Sequence, residues 1–103
     1  MIATPDGSGV IISFYNPGDA PAGETRQYSL ATSKLEAIWK TPHSPQATCP
    51  QLIRHAGKVY LVVTTAVEHM SPERLAKYPN AGCLFIGETS FNSLPETPLV
   101  EIL

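Results

Sequence analysis

An excess of positive charge is the first thing this chain lacks: seven Lys and Arg stand against nine Asp and Glu, scattered along 103 residues, for a net charge of -2. Proteins that track a phosphate backbone carry a basic stripe, so no nucleic-acid partner is expected. Long apolar runs are also missing. The longest, residues 59–67, is interrupted by Tyr60, Thr64 and Thr65 and falls well short of the roughly 20 residues that cross a bilayer, so no membrane span is expected. The opening residues Met1-Ile2-Ala3-Thr4-Pro5-Asp6 offer neither a basic n-region nor an apolar h-region, which argues against a secretory signal and for a cytoplasmic location. Cysteine is scarce too. Cys49 and Cys83 are too few for a disulfide framework and match no metal spacing, so both are expected as reduced thiols. No Gly-rich phosphate loop, nucleophile elbow or paired-carboxylate motif is present.

What is present is an ordinary globular composition, 43% hydrophobic and 16% charged. A domain this small buries only about two thirds of the surface its unfolded chain exposes, so its stability margin is thin. The clearest strand is residues 58–66, rich in β-branched side chains and too short for a helix. Ala56-Gly57 is a tight-turn signal, and residues 49–55 before it supply a partner strand, so the two read as a hairpin. The same arrangement occurs near the start, where residues 1–4 lead through Pro5-Asp6-Gly7 into residues 10–14.

Each hairpin is followed by a polar connection and two further strand candidates. In the first half these are residues 26–30 and 35–39, joined by a turn at residues 31–34. In the second half they are residues 82–87 and 98–103. Aligning Val10 with Val59 gives a period of about 49 residues, inside the roughly 40 to 50 expected of β-propeller blades. The expected fold is therefore all-β: two four-stranded antiparallel blades, residues 1–45 and 46–103, the second carrying an insertion at 67–80. Two unequal insertions decorate the repeat. Residues 15–23 are rich in Pro and Gly and read as a loop. Ser71-Pro72-Glu73 opens a short helix, with Ser as N-cap, Pro at the first helical position and Glu beside the positive helix end, and Pro79-Asn80 stops it.

Thr48-Cys49-Pro50, the strand end Val63-Thr64-Thr65-Ala66, then Met70-Ser71-Pro72-Glu73 and Asn80-Ala81-Gly82-Cys83-Leu84-Phe85-Ile86 together resemble the closing section of the gluconolactonase and regucalcin family. The resemblance covers nearly all of the second half, and extends more loosely over the first, which is similar to the preceding blade. It implies the last two blades of a six-bladed propeller whose parent uses a calcium- or zinc-type divalent metal to hydrolyse sugar lactones. Such a metal polarises the lactone carbonyl or activates water. The family's ligands are a Glu of the first blade and an Asn and an Asp of later blades, the last two each before a Gly. The resemblance places the Asp just ahead of the strand that begins at Met1, so no metal ligand, and no cofactor of its own, is expected in this chain. A start at an internal Met of a longer protein is the matching expectation. Asp6, at the other end of that strand, is expected to serve the hairpin turn.

Candidate site residues follow from position. Thr48 and Cys49 precede the inner strand of the second unit, where a propeller presents side chains to its channel; the alternative is that Cys49 is a small buried hydrophobe. Tyr15 and Asn16 end a strand at the Pro/Gly loop, a place suited to function or to plain turn chemistry. His43, His55 and His69 lack close metal spacing and read as surface or loop residues. Trp39 reads as blade packing. Cys49 and Cys83, on the first and third strands of one unit, lie about two interstrand spacings apart and should stay unpaired. Two readings follow: a piece of a lactone hydrolase, inactive alone, or a non-catalytic module that binds a ligand or a protein. Either way two blades leave apolar faces open, so association into a dimer or trimer, or with missing blades, is expected.

Overall fold

A computed structural model describes residues 1–95. Its first two strands, β1 (Ile2–Ala3) and β2 (Gly9–Phe14), pair antiparallel with Ile2 opposite Ile11. The turn between them is held by its own side chains. Asp6 Oδ1 accepts hydrogen bonds from the Ser8 amide at 2.9 Å, the Ser8 hydroxyl at 2.7 Å and the Thr4 hydroxyl at 2.9 Å. Thr4 Oγ1 in turn accepts from the Gly9 amide at 2.9 Å, which draws Thr4 into the turn and leaves β1 shorter than the expected strand.

β3 (Ala22–Ser29) and β4 (Leu35–Pro42) complete a four-stranded antiparallel sheet in the order β1-β2-β3-β4. Both strands run longer than their sequence patterns suggest. The expected loop at 15–23 shrinks, because Ala22 and Gly23 pair with Pro42 and Thr41 and Tyr15 forms a bridge with Gln46. Composition marked that stretch as irregular, but backbone groups in a loop still need partners, and the next segment supplies them.

That segment runs across the ends of the first sheet. From the end of β4 it passes β3, where the Gly23 amide donates to Ser44 O at 3.0 Å, and then β2, where the Asn16 amide donates to Pro45 O at 3.2 Å. It then becomes β5 (Ala47–His55). β5 turns through Ala56-Gly57 into β6 (Lys58–Thr65), and φ values of 51° at Ala56 and 78° at Gly57 match a two-residue turn with both central residues left-handed. Helix α1 (Pro72–Lys77) follows, with Ser71 Oγ accepting from the Arg74 amide at 3.2 Å as the sequence signature requires. β7 (Leu84–Glu88) pairs with β6, giving a second antiparallel sheet of three described strands in the order β5-β6-β7. β7 begins later than expected, after a turn at Gly82 with φ 86°. The fourth strand expected at residues 98–103 lies outside the described residues.

The core sits between the sheets. Ile11, Ala47, Leu61 and Val63 are buried, with Ile2, Trp39, Leu52, Phe85 and Phe91 packed against them. Ile11, Leu61 and Val63 each contribute about 1.5–3 kcal/mol there. The two repeats meet through opposite faces. With Val10 set on Val59, the pairings Ile2–Ile11 and Ser13–Thr25 correspond to Ile53–Tyr60 and Val62–Ile86. The first repeat turns Ile11 and Thr25 inward, whereas the second turns Leu61 and Val63 inward. Their counterparts in the first repeat, Ile12 and Phe14, alternate to its outer face.

Candidate functional site

Thr48 and Cys49 occupy a bulge. Ala47 pairs with Thr65 and Pro50 with Val63, so two residues of β5 face the single residue Thr64 of β6. The Thr64 hydroxyl lies 2.7 Å from the Thr48 hydroxyl and accepts from the Cys49 amide at 3.2 Å, while Thr48 Oγ1 donates to Thr64 O at 3.0 Å. The bulge keeps Cys49 exposed, so the alternative of a small buried hydrophobe gives way: the extra residue breaks the alternation that would have pointed its side chain into the core. Thr65 Oγ1, donating to Cys83 O at 2.7 Å, ties the start of the β7 region to the same sheet end.

Tyr15 and Asn16 reach this end through the crossover. Tyr15 bridges Gln46, two residues before Thr48, and the buried Gln46 amide nitrogen donates to Ala66 O at 3.2 Å and Glu68 O at 3.1 Å. The backbone thus joins Tyr15 to the segment that carries Thr48 and Cys49. Asn16 is occupied locally: its Oδ1 accepts from the Gly18 amide at 2.9 Å, ordinary Asx-turn chemistry.

A charged cluster on the outer face of the first sheet was not singled out in the sequence. Arg26 donates to Glu24 Oε2 from Nε at 3.1 Å and from Nη2 at 2.7 Å, and to the Tyr28 hydroxyl from Nη1 at 3.2 Å. Its guanidinium also lies 5.0 Å from the centre of the Phe14 ring. The Tyr28 and Glu24 hydrogen bonds hold Arg26 still more firmly protonated than usual. Phe14, Glu24 and Arg26, together with Asn16, Pro21 and Lys40, border a concavity of about 330 Å³. The alternation of Glu24, Arg26 and Tyr28 along one strand face was the available signal.

For hydrolysis this chemistry is sparse. The hydroxyls of Thr48 and Thr64 bond each other and the backbone, with no neighbouring side chain bonded to them as a base. Among the described residues no three His, Cys, Asp or Glu side chains come together as a metal site. Asp6 is committed to its turn, where the Ser8 amide, the Ser8 hydroxyl and the Thr4 hydroxyl lower its carboxyl below the ordinary value. Among the described residues, then, the carboxylates and imidazoles are not gathered into one donor set. His43, His55 and His69 fall on three separate segments, a crossover, a hairpin end and a loop. Trp39 packs between the sheets. Among the described residues no helix is long and apolar enough to cross a membrane.

Compared with known proteins, the chain matches no family model, no curated protein and no solved structure.

Proposed function

We propose that this chain is a two-blade portion of a β-propeller that resembles the gluconolactonase and regucalcin type of sugar-lactone hydrolase, and that by itself it neither holds the divalent metal nor turns over a lactone. The observation that carries the reading is the crossover. An outer strand, β4, leads across the ends of its own sheet by way of Ser44 and Pro45 and becomes the first strand of the next sheet. That is how successive propeller blades are strung on one chain. The repeat of about 49 residues supports it, as does the order of landmarks in the second unit: the Thr64-Thr65 strand end, the Ser71-capped helix and the Gly82-Cys83-Leu84 strand start. Thr48 and Cys49 would then border the channel, with Tyr15 close by, as positioning surface for a small polyhydroxylated ligand.

The test is hydrolysis of glucono-δ-lactone in a pH-stat with calcium or zinc added, alongside calorimetric titration of each metal. The expected result is a rate equal to the spontaneous one and no saturable metal binding. Turnover that scales with protein concentration, or a stoichiometric metal site, would overturn the inactive-portion reading.

A further inference from the structure

We infer that the exposed face of the second sheet is a docking surface for the exposed face of the first sheet of another copy of this chain, head to tail. The chain already contains one example of the junction. Inside it, the face of the first repeat bearing Ile2, Ile11 and Thr25 packs on the face of the second bearing Leu52, Leu61 and Val63. The internal duplication then writes each half of that junction a second time, on the outside.

The register makes the correspondence residue by residue. Ile2, Ile11 and Thr25 correspond to Ile53, Tyr60 and Ile86 on the open side of the second sheet. There Ile86 is 63% and neighbouring Leu84 59% exposed, while Ile11 and Thr25 are at 0%. In the other direction, Leu61 and Val63 correspond to Ile12 and Phe14 on the open side of the first sheet, where Phe14 is 40% exposed. Each open face is thus the counterpart of a face that is buried elsewhere in the same molecule, and the two open faces are of complementary kinds. A junction between unlike faces is heterologous, so it propagates from copy to copy and closes where the rotation per copy permits. Propellers close at about 4–8 blades, which corresponds to two, three or four copies of a two-blade chain.

Of the charged groups on the first face, Arg26 brings Glu24 and Tyr28 as hydrogen-bond partners and lays its guanidinium on Phe14, which limits the cost of burying it. Lys40, opposite Glu24 on the same face, has to keep its ammonium at the solvent rim of the junction. Leu84, Ile86 and Ile53 on one open face and Phe14 and Ile38 on the other are exposed apolar side chains, of the kind that a docking partner covers.

The inference shares the repeat with the proposed function but not its lactone chemistry. Association is read as mass and turnover as rate, so either can fail without the other. The experiment is sedimentation velocity of the full chain at micromolar concentration with two variants, Ile86→Asp on one face and Phe14→Asp on the other. The wild type is expected as a discrete oligomer of two to four copies and each variant alone as a monomer. An equimolar mixture of the two variants is expected as a dimer, because one junction between intact faces survives. A monomeric wild type, an open-ended ladder, or variants whose mixture stays monomeric would overturn it; so would an Ile86→Asp protein that still dimerises. Circular dichroism checks each variant's fold, and Leu84→Asp on the same face replaces Ile86→Asp should the latter lose the native spectrum.

Discussion

The indole Nε1–H of Trp39 donates to the backbone carbonyl of Glu88 at 2.8 Å, a bond between the outer strand of the first sheet and the last described strand of the second. The same ring lies against Gly87, where an added Cβ would sit 3.0 Å from Trp39 Cδ1. Glycine therefore leaves the opening that the indole fills, and the indole clamps the two sheets at their edge while Ile11, Leu61 and Val63 close the centre.

Replacing that indole separates its two contributions. Trp39→Phe keeps an apolar ring but leaves the Glu88 carbonyl without this donor, and is expected to cost about 1 kcal/mol. Trp39→Ala also opens a cavity; because the side chain is only half-buried, the cost should be about 2 kcal/mol, below the range for fully buried aromatics. Urea denaturation gives both values. An unchanged midpoint for Trp39→Phe would show that the hydrogen bond contributes nothing, and equal losses for the two variants that the ring's packing adds nothing.

Ala56 sits at φ 51° in the β5–β6 turn, a region where a Cβ crowds the following carbonyl and where Asn is tolerated far better. Ala56→Asn is expected to raise stability by about 0.5–1 kcal/mol, since the turn geometry stays and the strain falls. An unchanged or lower urea midpoint would mean that the hairpin does not depend on this backbone conformation.

Much of the local structure was legible in the sequence because its causes are local. Pro5-Asp6-Gly7, Ala56-Gly57 and the Ser71-Pro72-Glu73 cap each act within a few residues, and each produced the turn or helix end its chemistry requires. The β-branched run that became β6 was equally plain. Contacts between distant residues left no such signature. Gly23 read as loop because Gly and Pro surround it, yet its amide meets Ser44 O and it pairs in β3. Cys49 could be placed on a strand, but not on its exposed side, because the bulge opposite Thr64 shifts the alternation by one residue. Of the candidate site, the strand-end positions of Tyr15 and Thr48 could be read separately, whereas the Gln46 bridge that joins their segments could not.

The two insertions, which read as separate decorations, are docked on one another. Asp19 in the Pro/Gly loop accepts from Lys77 Nζ at 2.9 Å and from the Tyr78 hydroxyl at 2.9 Å, and Arg74 donates to Gly18 O at 2.9 Å. The Lys77 hydrogen bond, then that of Tyr78, lowers the Asp19 carboxyl below its usual 3.8, while Asp19 raises Lys77. For a carboxylate depressed in the folded state, the docking contribution is complete above the unfolded value of 3.8 and fades as pH falls through the lower folded value. Asp19→Asn should accordingly speed amide exchange in α1 roughly two- to fivefold at neutral pH. That difference from wild type should shrink below about pH 4. Equal exchange rates at neutral pH would dissociate helix docking from this carboxylate.

The last prediction concerns the bulge that holds Thr48 and Cys49 at the sheet end. Its geometry rests on one hydroxyl, that of Thr64, which meets the Thr48 hydroxyl at 2.7 Å and the Cys49 amide at 3.2 Å. Thr64→Val keeps the shape of the side chain and removes both of these bonds and the weaker one to the Cys49 carbonyl at 3.4 Å, and because the site is exposed the loss should be about 1 kcal/mol. Freed of that tether, the bulge opens more often, so Cys49 should alkylate faster with iodoacetamide, measured in a Cys83→Ser background to leave one thiol. Thr64→Ser retains the hydroxyl and should alkylate at the starting rate. If valine and serine behave alike, the bulge is set by the backbone pairing of Ala47 and Pro50 rather than by the hydroxyl, and Cys49 owes its exposure to register alone.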